Sequence, residues 1–280
     1  MNPRERAFAL CVAFVFSAFA AGTARAQETA DKAIVPLPSV IDVTRGERWG
    51  VALGAGLEYE SAYDGSDEYE TEFEPAGAVQ WRWDDQMVFW EGIELGWRGL
   101  ASPDWLLQAG IRYEDGLEPD DSDDGRLEGI AERDSHVVGF FEARRTLGDN
   151  WRNWVGARLM GGPSDFGWLG VLALGHRFGD RVDGTGTEVF AFATFGTSDF
   201  INKDFGIGPE DSVNSGLPET DLDGGYRSVG VTLVDRRYLT RHLHLIAQAG
   251  AELYSSDIRD SPIAREDYEF EIGLSLVWVF

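Results

Sequence analysis

The side chains of this 280-residue chain that could do chemistry are few and scattered. Its histidines are His136, His176, His242 and His244, and no G-x-S-x-G elbow supplies a nucleophile for any of them to activate. A hydrolase needs nucleophile, base and orienting group to converge on one point. Nothing in the spacing assembles such a set, so the expectation is a non-enzymatic protein without catalytic residues or cofactors. Cys11 is the only cysteine and follows Leu10 inside an apolar run. Once that run is removed, disulfides, thiolate metal sites and cysteine nucleophiles are all excluded. Asp120-Asp121-Ser122-Asp123-Asp124-Gly125 has the alternating oxygen ligands and the glycine turn of a calcium loop. Its register then fails: the closing acid should stand at Ala131, and Glu132 comes one residue late. The segment reads as a solvated acidic loop that shares divalent ions loosely with lipopolysaccharide phosphates, not as a metal site.

The remaining charges fall in a pattern of period two. From Trp49, one face carries Trp49, Val51, Leu53, Ala55, Leu57 and Tyr59, while the other carries Gly50, Ala52, Gly54, Gly56 and Glu58. A helix would mix these sets, whereas a strand separates them. The same alternation runs through Glu72 to Trp83, Trp105 to Tyr113, Trp151 to Leu159, Trp168 to Phe178, Thr187 to Ser198, Tyr226 to Leu239, Leu243 to Tyr254 and Tyr268 to Phe280, and less clearly through His136 to Arg145. The inward set then holds Glu58, Glu72, Glu74, Glu94, Glu252, Glu269 and Glu271 with Arg82, Arg98, Arg112, Arg158, Arg177 and Arg227. Charges of both signs inside a narrow barrel can cross-link it and close it. The net charge of −25 opposes nucleic acid as a partner. The mean hydropathy of −0.24 is no argument for solubility, because barrel strands average lipid-facing and lumen-facing residues.

The N-terminus carries Arg4 and Arg6, an apolar run from Ala7 to Ala21, then Ala24-Arg25-Ala26 before Gln27. This is the order of a secretory signal, with Ala24 and Ala26 flanking a cleavage before Gln27. The expected division is a signal peptide over 1–26, a periplasmic leader over 27–47 containing Pro36 and Pro38, and a membrane barrel over 48–280. No later segment supplies the roughly 20 uninterrupted apolar residues of a spanning helix.

Connections alternate between short ones, such as Asp84-Asp85, Gly148-Asp149-Asn150 and Thr240-Arg241, and long polar ones, such as Ser61 to Glu70, Glu114 to Asp134 and Phe200 to Gly225. Outer-membrane barrels keep short turns in the periplasm and long loops outside. An even strand count requires a reversal between Gln86 and Leu100, which we place near Glu91-Gly92. The reading is an all-β, transmembrane, antiparallel up-and-down barrel of about twelve strands, in the outer membrane of a Gram-negative bacterium. Aromatics sort accordingly: Trp49, Trp81, Trp83, Trp97, Trp105, Trp151, Trp278 and Phe280 to a periplasmic girdle, and Tyr59, Tyr113, Tyr226, Tyr254 and Tyr268 to an outer one.

The chain stops on Leu276-Val277-Trp278-Val279-Phe280. Alternating Leu276, Trp278 and terminal Phe280 resemble the sorting signal read by the barrel assembly machinery. Ser215-Gly216-Leu217-Pro218, Gly224-Gly225-Tyr226-Arg227-Ser228-Val229-Gly230, Tyr238-Leu239-Thr240 and Asp260-Ser261-Pro262-Ile263 resemble, in the same order, segments of the MltA-interacting (MipA/OmpV) family. The resemblance runs from about Trp49 to Phe280. It implies an outer-membrane barrel acting as a scaffold between a lytic transglycosylase and a murein synthase, while other members are described as adhesins. It supplies no catalytic or partner-binding residues. The competing reading is a small-solute channel, and a surface adhesin is a third.

Overall fold

The computed structural model describes residues 43–44, 47–102, 104–119, 122, 124–148, 152–163, 166–178 and 186–280. Among them, twelve antiparallel strands close into a barrel in sequence order, with β1 pairing β12. They are β1 (Trp49–Ser61), β2 (Tyr69–Trp83), β3 (Gln86–Glu91), β4 (Glu94–Ser102), β5 (Trp105–Glu114), β6 (His136–Leu147), β7 (Asn153–Gly161), β8 (Trp168–Phe178), β9 (Gly186–Gly196), β10 (Gly225–Tyr238), β11 (Leu243–Tyr254) and β12 (Tyr268–Val279). Closure of β1 on β12 leaves the sheet without a terminal edge strand, which is what allows it to sit in hydrocarbon. No helix among the described residues is long and apolar enough to cross a membrane.

The alternation decides which side meets lipid. Leu53, Leu57, Phe73, Leu172, Leu174, Ile272 and Leu274 all point outward and stay exposed. Such a belt would be an aggregation hazard in water and is the expected surface against acyl chains. On the opposite parity Ala52, Ala78, Met87, Phe89, Phe140, Trp154, Val277 and Val279 are buried inside the barrel.

The reversal expected near Glu91-Gly92 is present. Gly92 has a φ of +55°, a left-handed conformation that glycine adopts without strain, and it closes β3 onto β4. β3 is therefore only six residues long. Beyond the tip of this hairpin, residues 69–77 of β2 pair with β1 and, among the described residues, have no ladder on their other side. The last rung there is the Gly92 N–H donating to the Gly77 carbonyl. Pro75 lies in this one-sided stretch with the same parity as Gly77, so the N–H it lacks would have pointed into the notch.

At the end of the barrel opposite Trp49 and Phe280, the long connections fold back over it. The β9–β10 connection contains α1 (Ser198–Phe205) and α2 (Pro209–Ser215), and the β11–β12 connection contains α3 (Ser256–Arg259). Pro209 sits in the first turn of α2, where its missing N–H is harmless, and Gly216 ends it in the left-handed conformation at φ +74°. The loops share small cores of their own. Tyr63, Leu117, Leu127, Ile130, Ile207 and Ile263 pack together, as do Ile201, Phe205, Tyr254 and Ile258.

Candidate functional site

Three regions of the barrel could carry function: the interior, the outer lid and the periplasmic end. Within the interior, charge pairs form between strands that are not neighbours in the sheet. Arg158 of β7 donates to Glu94 of β4 at 2.6 Å, and Arg144 of β6 to Glu188 of β9 at 2.9 Å. Each pair spans three strand positions of the twelve in the ring, so its side chains leave the wall and meet inside the barrel. Glu188 is 1% exposed and also receives Arg177 at 2.8 Å, with Arg236 at 3.9 Å. A second knot joins Arg98, fully buried, to Glu91 through two hydrogen bonds of 2.8 and 3.2 Å, while its Nε donates to Gln108 at 2.8 Å. Guanidiniums also stack on aromatic faces: Arg144 on Trp154 at 4.0 Å, Arg98 on Phe89 at 4.3 Å and Arg158 on Phe140 at 4.3 Å. Bidentate geometry and π-faces together offset the desolvation of so many buried charges.

The expected inward charges distribute over this interior unevenly. Arg98, Arg158 and Arg177 enter the knots, and Arg112 pairs with Glu94 at 3.3 Å. Arg227 pairs with Glu252 at 2.7 Å and with Asp64 of the first outer loop. Glu58 accepts from Gln248 at 2.5 Å, and Glu269 accepts from the Tyr254 hydroxyl at 2.5 Å. Arg82 lies at the periplasmic rim, its backbone N–H bound to the Arg48 carbonyl. Glu72 and Glu74 remain exposed on the one-sided stretch of β2. Glu91, Glu142, Glu188, Arg144 and Arg236 also lie inside, beyond the expected set, and the signal for each is its lumen parity on its own strand.

One aromatic assignment needs correction. Tyr254 belongs to no outer girdle: it is 2% exposed and points inward to Glu269. Its position two residues after inward-facing Glu252 on β11 carried that information. Tyr59, Tyr113 and Tyr226 do face outward, as do Trp49, Trp81, Trp105 and Trp278, while Trp151 lies outside the described residues.

Above the β1–β2–β11–β12 wall lies a cavity of about 440 Å³. Glu60, Glu72, Asp64, Glu252, Glu269 and Glu271 line it. Glu58, Glu60 and Glu271 bring one carboxylate oxygen each within 4.8 Å of one another. Carboxylates this close repel unless protons or cations accompany them. Ser122, Asp124 and Gly125 of the calcium-like motif lie elsewhere, in the lid. Asp124 accepts from the Ser122 hydroxyl at 2.7 Å and from the Arg126 N–H at 2.8 Å, and Asp120, Asp121 and Asp123 lie outside the described residues. At the closing position, Ala131 uses its N–H to bind Asp211 at 2.8 Å.

That contact latches the lid. Asp211 of α2 also receives Arg133 at 2.8 Å. Burial alone would raise this carboxyl, but the Ala131 N–H and the Arg133 guanidinium together hold it below the ordinary carboxylate value. Arg126 reaches the Pro262 carbonyl, and the Ser261 hydroxyl donates to the Phe205 carbonyl at 2.7 Å. Ser261-Pro262-Ile263 and Ser215-Gly216-Leu217 thus serve as joints of the lid.

At the periplasmic end Leu276, Trp278 and Phe280 all face outward, with Phe280 67% exposed. The Phe280 N–H donates to the Val51 carbonyl at 3.0 Å, tying the terminus to β1, and the His242 ring stacks on Trp278 at 5.4 Å. His244 is buried against Tyr238 at 4.1 Å, and His176 meets Asn153 at 2.7 Å, so these rings occupy separate places. Ala24, Ala26 and Gln27 lie outside the described residues.

Residues 53–280 match the family described as MltA-interacting protein MipA. The chain belongs to that family. No curated protein sequence matches this one. Similar solved structures include the KdgM porin, 8% identical over 82% of this chain and 99% of that one with a TM-score of 0.41. The NanC porin is 10% identical over 81% and 98%, with a TM-score of 0.42. OprB of Pseudomonas putida is 7% identical over 85% and 95%, also at 0.42. As a MipA-family barrel, the chain is an outer-membrane protein.

Proposed function

We propose that this barrel is a non-enzymatic anchor in the outer membrane, whose periplasmic turns hold murein-remodelling enzymes, a lytic transglycosylase and a murein synthase, at the membrane surface. The observation that carries this reading is the bridged interior. A transport barrel keeps a wet path, whereas here Arg158–Glu94 and Arg144–Glu188 bridge non-neighbouring strands and fill one side of the lumen with paired charge. The family description, with its reference to MltA, supports the class of partner. Lipopolysaccharide and the barrel assembly machinery are the other expected partners, the latter through Leu276, Trp278 and Phe280. The adhesin reading has less support, because the outer loops turn their apolar residues toward one another over the mouth.

The acidic cavity favours a second reading, a narrow path for cations. One experiment separates the two. Photocrosslinking probes at Asp84, Gly148 and Thr240 in living cells should trap a murein hydrolase or synthase, while the purified barrel stays electrically silent in a planar bilayer. Absence of any crosslinked murein enzyme together with stable, cation-selective conductance steps would replace the anchor with the channel.

A further inference from the structure

The residues just before the barrel do not lie outside it. Val43 and Thr44 are each 2% exposed, and Val43 packs with Ala52, Ala78, Val277 and Val279, all on the lumen side at the periplasmic end. A turn closed by the Glu47 N–H on the Thr44 carbonyl at 2.8 Å then brings the chain back out to start β1.

The barrel meets this segment with complementary chemistry. The Val43 N–H donates to Gln80 Oε1 at 2.9 Å. Gln80 is itself fully buried, and its Nε2 donates to Glu91 Oε1 at 2.7 Å. A carboxylate can only accept here, so Glu91 fixes which end of the amide faces Val43. Arg98 holds Glu91 in turn through its forked pair. The relay Arg98, Glu91, Gln80 therefore presents one oriented acceptor to a backbone donor. Beside it the wall recedes: Gly50 leaves no room even for a Cβ, which would stand 2.2 Å from the carbonyl carbon and oxygen of Val43.

We propose that the periplasmic mouth is a binding seat for a turn of peptide backbone, occupied in cis by residues 43–44 of this chain as a reversible plug whose release opens the lumen from below along the β1–β2–β12 wall, away from the Arg158–Glu94 and Arg144–Glu188 bridges. The proposal does not depend on the murein partners. It concerns the barrel alone and is tested without them.

The test uses the full chain with Cys11 replaced by Ala and Val43→Cys as reporter, folded in detergent and in liposomes. A membrane-impermeant maleimide should label Val43→Cys on the order of tenfold more slowly than a cysteine at Gly148, as for a group reached only by local opening. Gly50→Val places side-chain carbon where the Val43 backbone lies and should abolish that protection. Gln80→Leu removes the acceptor and should reduce protection to a lesser degree. Both should also raise the efflux of a small dye from liposomes. Heat-modifiable migration identifies folded barrels, and whichever variant folds is scored. Equal labelling of Val43→Cys with and without the second substitution would overturn the seat. Faster labelling with no rise in efflux would overturn the plug.

Discussion

Glu188 takes three guanidiniums at once, from Arg144, Arg177 and Arg236, in a position almost devoid of solvent. Removing this anion takes the shared carboxylate from three cations at once, and breaking a buried pair costs about 3–5 kcal/mol. Glu188→Ala is therefore expected to lower barrel stability by about that much in urea unfolding, or to prevent folding altogether. A shift below about 1 kcal/mol would mean the knot is solvated. In the lid, Asp211 behaves oppositely to a surface acid. Its carboxyl is held below the ordinary value of 3.8, so its ion pair contributes fully above that value and is lost as pH falls through the lower, folded-state value. Protease cleavage within residues 198–224 should accelerate below about pH 4, and Asp211→Asn should show the fast cleavage already at neutral pH. An unchanged acid profile in Asp211→Asn would assign the effect to other carboxylates.

Among the elements, those with one face in lipid were legible and the short helices that cover the barrel mouth were not. Alternation over β1, β8, β11 and β12 spans a full membrane crossing, and the even strand count places the start of β1 and the end of β12 on the same side. The β3–β4 reversal was found by the same parity count, not by local propensity. α1 and α2 escaped because they are eight and seven residues long and bury side chains against residues distant in sequence, as Phe205 does on Tyr254 at the end of β11 at 5.4 Å. Such helices have little stability alone. The interior knots were legible by type but not by partner, since Arg158 and Glu94 meet inside a lumen whose width depends on strand number and shear. Ile207→Asp, which buries a carboxylate among Tyr63, Leu127 and Ile263, should release the lid without unfolding the wall. Hydrogen exchange would show this as lost protection in residues 198–224 with β9 and β10 unchanged, and loss of protection in those strands would count against an independent lid.

Taken as a whole molecule, the barrel is uneven around its circumference. One sector carries the Arg144–Glu188 and Arg98–Glu91 knots with their guanidinium–aromatic stacks, and the other carries small residues, the acidic cavity and residues 43–44. The wall itself is also uneven. At six residues, β3 is about 20 Å long along its own axis, whereas a tilted spanning strand uses roughly 9–11 residues. Trp90, Ile93 and Leu95 around its tip are exposed and apolar, so the tip belongs in hydrocarbon. A nitroxide on Ile93→Cys should be relaxed by oxygen more than by a polar reagent, as at Leu172→Cys, and preference for the polar reagent would place the tip in water. Lipids along this flank face a hydrophobic height smaller than their own. The bilayer must thin there or the barrel must lean, each at a fraction of a kcal/mol per ångström. Either response gives the protein a preferred bearing among its neighbours, because two such flanks set side by side share one thinned patch of membrane instead of making two.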